Sequence, residues 1–534
     1  MGKRFTKATG ALSVALMGSM LLLTAACGTQ TAKTLEEVNI EKDVAGNPLV
    51  GGSDSAEFNY GGDPSVLVDG DTVYLYTGND ISTEEEISNA IYNIPNYVCY
   101  SSTDLKNWTC EGEVMNMADV SWADETAAWA SQVTKHYDPE QGKDLYYLYF
   151  CSWDRGSTGK QSIGVAVSES PTGPFTDIGS SLVRGAVTKP QMSNWDDIDP
   201  TVWIETDENG EEHRYLAWGN AQFYICELNE DMISVKDING DGEITATILG
   251  GDGDIVNMQS GLESYTEAPW LYRRSDENGN YYGDYYLFYA YTWRECMAYA
   301  TTDSLMDSTW NFGSMIMAPT STSNTNHMAV FDFKGETYFV YHNGSLPGGN
   351  GYRRSACITK LKFNDDGSVE PMEETAVGIS GTSSMIKTAS DEYISHENYL
   401  NSTSDSDYPY SDVKVGVDMG KTDADKTWLL INGKATAYME GVDVSENPYV
   451  SIQSENKPGL YLTVSGESIV LAQDTDASEE TANSQTFKTV TGLSSSDMIS
   501  FESVSNPGMY ITVTDDGLAL TDGSDREAAS FVIE

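Results

Sequence analysis

Leu145-Tyr-Tyr-Leu-Tyr-Phe150, Ile163-Gly-Val-Ala-Val-Ser168 and Ser170-Pro-Thr-Gly-Pro-Phe175 are two apolar runs and a proline- and glycine-marked turn. The runs are too short for buried helices and rich in β-branched and aromatic residues, so they read as adjacent strands. The same order stands upstream as Thr72-Val-Tyr-Leu-Tyr-Thr77, Tyr97-Val-Cys-Tyr-Ser-Ser102 and Asp104-Leu-Lys-Asn-Trp108. A third copy holds Arg214-Tyr-Leu-Ala-Trp218 and Phe223-Tyr-Ile-Cys-Glu-Leu228. A fourth holds Tyr285 to Tyr291, Met297-Ala-Tyr-Ala-Thr301 and Ser304 to Trp310, and a fifth Thr337-Tyr-Phe-Val-Tyr-His342 and Ala356-Cys-Ile-Thr-Lys-Leu361. Five sheets repeated radially make a five-bladed β-propeller; a β-sandwich would use short strands without needing the repeat. With 32 Tyr and 48 Gly and almost no long amphipathic helical pattern, the chain reads as all-β.

The residues just upstream of each unit carry the chemistry. Gly62-Asp63-Pro64 opens the first unit, Ala128-Trp129-Ala130 the second, Ile198-Asp199-Pro200 the third, Thr266-Glu267-Ala268-Pro269 the fourth and Thr325-Asn326-His327 the fifth. Counted at Asp63, Trp129, Asp199, Glu267 and His327, the spacings are 66, 70, 68 and 60 residues. One such residue per blade, at the same place in each, converges on the propeller axis. Three of the five are carboxylic acids. Glu267 precedes Pro269, Trp270 and Tyr272, where a loop enters a buried strand, an environment that raises a carboxyl's pKa. Taken alone it would read as a turn cap.

Hydrolysis of a glycosidic bond needs one carboxylic acid to protonate the leaving oxygen and one carboxylate to activate water. A third acid nearby can raise the pKa of the general acid by like-charge repulsion. A calcium cage is the competing reading of clustered acids, but two Asp-Pro steps on separate blades supply no continuous ligand loop.

At these residues the chain resembles glycoside hydrolase family 43, over roughly residues 50 to 375, and within it the arabinoxylan arabinofuranohydrolase type of α-L-arabinofuranosidase. The likeness is carried by Asp63-Pro64, Tyr74-Leu-Tyr-Thr-Gly78, Ser102-Thr-Asp-Leu-Lys-Asn-Trp108, Asp199-Pro-Thr201, Glu267-Ala-Pro-Trp-Leu-Tyr272, Asn326-His327, Tyr341-His-Asn-Gly344 and Leu346-Pro-Gly-Gly349. The resemblance implies Asp63 as general base, Asp199 as pKa modulator and orienter, Glu267 as general acid, and inversion at the anomeric carbon. Inversion places the two carboxyls about 6.5–9.5 Å apart. It further implies that Arg354, in Tyr352-Arg-Arg-Ser355, holds hydroxyls of the sugar in the deepest subsite, and that His327 helps hold a structural calcium ion in the central channel, completed mostly by water. No cofactor is required for the chemistry. Trp129 is expected to floor the pocket, because a sugar ring presents an apolar face to an aromatic one. The expected partner is plant cell-wall arabinoxylan or its oligosaccharides. β-Xylosidase or dual activity is the alternative within the enzyme class, since the same acids serve both pentoses. A catalytically silent sugar-binding surface lipoprotein and a structural adhesin are the alternatives outside it. The intact acids favour the enzyme.

The flanks divide the chain further. Lys3, Arg4 and Lys7 head an apolar run ending at Thr24-Ala-Ala-Cys27, which resembles a bacterial lipoprotein signal, residues 1–26, with Cys27 as the lipidated residue of an exported, surface-anchored protein; ordinary secretion is the alternative. Residues 27–50 read as a tether, 51–375 as the propeller and 376–534 as a second domain. The formal net charge is −52, and −55 without the three basic groups of residues 1–26. Such a surface repels nucleic acid and anionic lipid and suits neutral substrates, leaving a lipid anchor as the only membrane contact. The remaining cysteines, 99, 110, 151, 226, 296 and 357, show no zinc spacing and read as scattered thiols.

Past residue 375 a different repeat begins. Val450-Ser-Ile-Gln-Ser454 with Pro458-Gly-Leu-Tyr-Leu462 recurs as Ile499-Ser-Phe-Glu-Ser503 with Pro507-Gly-Met-Tyr-Ile511, and Trp428, Phe487 and Phe531 close three successive units. Threefold repetition of short strands suggests a β-trefoil-like domain. It resembles the AbfB arabinofuranose-binding module, carbohydrate-binding family 42. That module usually follows its Tyr-Leu with Arg and His, where this chain has Thr463-Val464 and Thr512-Val513. A retained fold with weakened or lost sugar binding, or a structural role against the propeller, is therefore expected.

Overall fold

The computed structural model describes residues 35–534 apart from 52–56, 157, 186, 189–192, 208, 321–322, 398–412, 420–421, 444–445 and 475. The expected signal segment and Cys27 lie outside the described residues. Among the described residues no helix is long and apolar enough to cross a membrane.

The inner strands Ser65–Asp69, Ser131–Asp138, Thr201–Thr206, Tyr265–Ser275 and Ala329–Phe333 each start a separate antiparallel sheet. Neighbouring inner strands touch in the order one, two, three, four, five and back to one, so five blades close around an axis. Blades one, two and four have four strands and blade five has three. Blade three has five, its outermost strand Ala246–Ile248 lying parallel to Ile255–Asn257. The run Leu145 to Phe150 is buried throughout because both faces of its sheet are packed against neighbouring blades. Strands covered on both sides are continuously apolar rather than alternating.

Residues 384–533 form three units of four strands. The first and fourth strands of each unit pair into a closed ring: Ser384–Thr388 with Thr427–Asn432, then Tyr449–Ser454, Phe487–Thr491, Ile499–Ser503, Phe531–Ile533 and back to Ser384–Thr388. The second and third strands form hairpins, and the third strands join at one end, Val413–Val417 and Gly517–Thr521 both pairing with Ser468–Gln473. Trp428, Phe487 and Phe531, each fully buried, meet in the core of this barrel.

Residues 37–50, the latter part of the expected tether, are fastened along their length. Val38 N donates to Thr489 O at 3.1 Å, Asp43 N to Leu430 O at 3.0 Å and Leu49 N to Ala356 O at 2.8 Å. Buried Asn47 donates through Nδ2 to Ile358 O and Thr375 O, and its Oδ1 accepts from Ile358 N at 2.9 Å. The strap therefore bonds to both barrel and propeller, its backbone polar groups satisfied by partners a free tether would lack. The barrel also grips the propeller directly: Gln473 Nε2 donates to Gly344 O and Gly349 O at 3.3 and 3.0 Å. The six described cysteines are free thiols, five of them buried.

Candidate active site

Asp63 and Asp199 share an unusual backbone. Each precedes a proline, and each sits in the left-handed region, at φ 51° and 60°. For a residue with a Cβ this costs about 1–2 kcal/mol, and the position before proline normally prefers an extended conformation. In blade four the residue in that conformation before proline is Ala268, at φ 54°. Glu267 stands one position earlier, so the expected equivalence of the three acids is corrected. The register of Tyr265–Ser275 against Tyr281–Tyr291 is irregular on both sides of Glu267. A bulge of this kind re-aims a side chain, and here it presents the longer Glu from one residue upstream. Asp199 anchors the step, its Oδ2 accepting from Ala268 N at 2.9 Å.

All six residues expected from the sequence, Asp63, Trp129, Asp199, Glu267, His327 and Arg354, line one open cavity of about 580 Å³. Arg354 is 3 % exposed. Its Nη1 donates to Asp63 Oδ1 at 2.7 Å, and its Nε and Nη2 bond Asp80 at 2.8 and 3.1 Å. The guanidinium lies 4.9 Å from the centre of the Tyr92 ring. Its approach to Asp63 requires Gly62, since a Cβ there would fall 2.3 Å from Arg354 Cζ. Arg353 turns away to Ser82 O and Glu84. Asp63 N donates to Nδ1 of fully buried His342 at 3.1 Å, and His342 Nε2 lies 2.9 Å from Thr325 O. Those two bonds select the neutral tautomer protonated on Nε2, in keeping with burial, which pushes the ring down to about 3.

Across the cavity, Asn220 Nδ2 donates to Glu267 Oε2 at 2.6 Å. A fourth carboxyl, Glu295, is hydrogen-bonded to Glu267 and only 2 % exposed; its Oε2 accepts from Asn326 N at 2.7 Å. The two sides of the cavity ionise oppositely. Burial works to raise Asp63, but the positive charge of Arg354 and its hydrogen bond bring it below the usual carboxylate range. Glu267 is pushed up to about 7, first by burial and then by the charge of Asp63, against the opposing bonds from Asn220 and Glu295 and the charge of Arg354. Asp199 is raised well above its ordinary value by burial and then by Glu267 and Asp63. The like-charge contribution to Glu267 thus comes foremost from Asp63, the most ionised acid of the group.

His327 is buried and pushed down to about 4 by that burial, so it is a neutral imidazole. Among the described residues no three His, Cys, Asp or Glu side chains converge to hold a metal ion.

Sequence reasoning missed Asp80, Asn220, Glu295 and Tyr92, and gave His342 no role. His342 lay inside the quoted Tyr341-His-Asn-Gly344, and Asp80 follows the Tyr74 to Gly78 run by two residues. Glu295 sits in Arg294-Glu-Cys296 with nothing to mark it.

The Glycosyl hydrolases family 43 model matches residues 59–369, and the Alpha-L-arabinofuranosidase B (ABFB) domain model matches residues 386–533. Among curated proteins, the chain is 30 % identical over 293 residues to a β-D-galactofuranosidase of Aspergillus niger, covering 53 % of this chain and 76 % of that one. It is 29 % identical over 406 residues to an arabinoxylan arabinofuranohydrolase of Bacillus subtilis, covering 70 % and 73 %. To a xylosidase/arabinosidase of Bacteroides ovatus it is 26 % identical over 342 residues, covering 59 % and 95 %. With a five-bladed propeller, a pocket lined by Asp63, Asp199 and Glu267 and a family match over more than half of its length, the chain belongs to glycosyl hydrolase family 43.

Proposed function

We propose that the chain is an inverting α-L-arabinofuranosidase acting on arabinoxylan or arabino-oligosaccharides, with Asp63 as base and Glu267 as acid. The observation that carries this reading is the placement of two carboxyls in one cavity with opposite surroundings: Asp63 bonded to the Arg354 guanidinium, which favours its ionised form, and Glu267 beside Asn220 and Glu295, where burial favours its protonated form. Glu267 gives its proton to the glycosidic oxygen as the bond to the anomeric carbon breaks. A water on the opposite face attacks that carbon and its proton passes to Asp63. Asp199 orients the pair through Ala268. Arg354, fixed by Asp80 and stacked on Tyr92, faces the sugar at the Asp63 end, while Trp129 gives it an aromatic wall. The match to the ABFB domain model and the arabinoxylan arabinofuranohydrolase relative support arabinofuranose, and the xylosidase/arabinosidase relative supports the β-xylosidase alternative.

The test is hydrolysis of aryl α-L-arabinofuranoside and aryl β-D-xyloside by the purified chain. Faster cleavage of the arabinofuranoside is expected. A preference for the xyloside would promote β-xylosidase, and cleavage of neither, with sugar binding retained, would move the chain to the binding class.

The C-terminal barrel we assign as a β-trefoil with a structural role; its six-strand ring and three hairpins support the fold. For the role, Lys434 Nζ lies 4.2 Å from the Tyr461 ring centre and pairs with Asp474, while the adjacent Gln473 bonds the propeller. Export and lipid anchoring through Cys27 are proposed on the sequence of residues 3–27.

A further inference from the structure

Of the eleven tryptophans in the chain, only Trp195 and Trp293 are exposed, by 48 % and 53 %. Both line the cavity that holds Asp63 and Glu267. An exposed indole is costly to leave in water, and two at one cavity mouth form an apolar rim around polar groups, the composition of a ligand site.

Their positions in the chain say which end of the ligand they meet. Trp195 N donates to Ser193 Oγ at 3.1 Å, and Ser193 is held by buried Asp196 through two bonds to Oδ1 at 2.6 and 2.7 Å. The carbonyl of Asp196 accepts from Asn220 N at 2.8 Å, and Asn220 is the residue bonded to Glu267. Trp293 stands two residues before Glu295, the other side chain bonded to Glu267. Its loop is pinned by buried Arg294, whose Nη2 donates to Thr320 O and Ser323 O at 2.5 and 2.7 Å. Both exposed indoles thus ride on the segments that hold Glu267. Arg354 and Tyr92 stand with Asp63 instead.

The general acid touches the leaving-group oxygen, so the departing part of the substrate lies on its side of the cavity. We propose that Trp195 and Trp293 form a platform for the aglycone, binding pyranose rings of the polysaccharide backbone through their apolar faces. This rests on the reading of Glu267 as the acid. It makes the substrate a sugar carried on a longer glycan rather than a small glycoside, because a small aglycone would leave both indoles uncovered.

The experiment compares Trp195→Ala and Trp293→Ala with the unaltered chain on methyl α-L-arabinofuranoside and on an arabinose-substituted xylo-oligosaccharide. The fall in kcat/KM on the oligosaccharide should exceed the fall on the methyl glycoside by about tenfold in each variant, and Trp→Tyr should restore part of it. Equal changes on the two substrates would overturn the platform. A fluorescence titration of the full chain with unsubstituted xylo-oligosaccharides separates this from the arabinofuranoside assignment. If neither glycoside is cleaved but the oligosaccharides bind, and either substitution weakens that binding, the assignment fails and the platform stands. If binding is the same in both variants, or absent from the unaltered chain, the platform fails.

Discussion

Glu267→Gln is expected to lower kcat/KM by about 10³-fold on an arabinofuranoside with an alkyl or sugar leaving group, within the range attributable to one general acid. Gln can still accept the bond from Asn220, so the cavity keeps its shape and loses only the proton. The loss should shrink steeply with a dinitrophenyl leaving group, which departs without protonation. The pH profile gives a second handle. The proposed mechanism needs Glu267 protonated, so activity of the unaltered chain should fall as pH rises through about 7, the value to which burial and the Asp63 charge push this carboxyl. It needs Asp63 ionised, and since Arg354 holds that group below the usual range, the acidic limb should lie below the ordinary carboxylate pKa. With Glu267→Gln the basic limb near 7 should vanish. A limb that stayed would belong to another group, with Glu295 and Asp199 the first to test.

Asp63→Asn should cost about as much, 10²–10⁴-fold, with a different signature. In the proposed mechanism Asp63 activates water and takes no part in protonating the leaving group. The loss should therefore be nearly the same for nitrophenyl, dinitrophenyl and sugar leaving groups. The substitution also removes one of the two carboxylates that Arg354 bridges. A buried guanidinium with a reduced counter-charge is unfavourable, so a lower thermal midpoint should accompany the loss, together with a raised KM if Arg354 shifts. A strong dependence of the loss on leaving group would reassign Asp63 to the acid side.

How far the sequence could be read depended on whether a feature repeats. The blades were legible because apolar runs recur with a turn at a steady period, and Asp63 and Asp199 because each carries its proline. The same logic misplaced Glu267 by one residue: Ala268 holds the repeated backbone position, and a bulge delivers the acid. Non-repeating partners were invisible. Asp80 meets Arg354 from 274 positions away, and Glu295, in the turn between Tyr281–Tyr291 and Cys296–Thr302, reaches Glu267 from 28 positions away. Polar residues 37–50 looked like a tether because their hydrogen bonds go to backbone groups that no local pattern announces. In the C-terminal domain the second and third units declare themselves through Pro458-Gly and Pro507-Gly. The first unit, from Ser384 to Asn432, lacks that step and was marked only by Trp428.

The central claim is a single displacement by water between Asp63 and Glu267. It is tested most directly by following the first turnovers on an aryl α-L-arabinofuranoside by proton NMR and assigning the anomer before mutarotation mixes the two. The account requires β-L-arabinofuranose to appear first; α-L-arabinofuranose appearing first would mean a double displacement through a covalent intermediate and would contradict it.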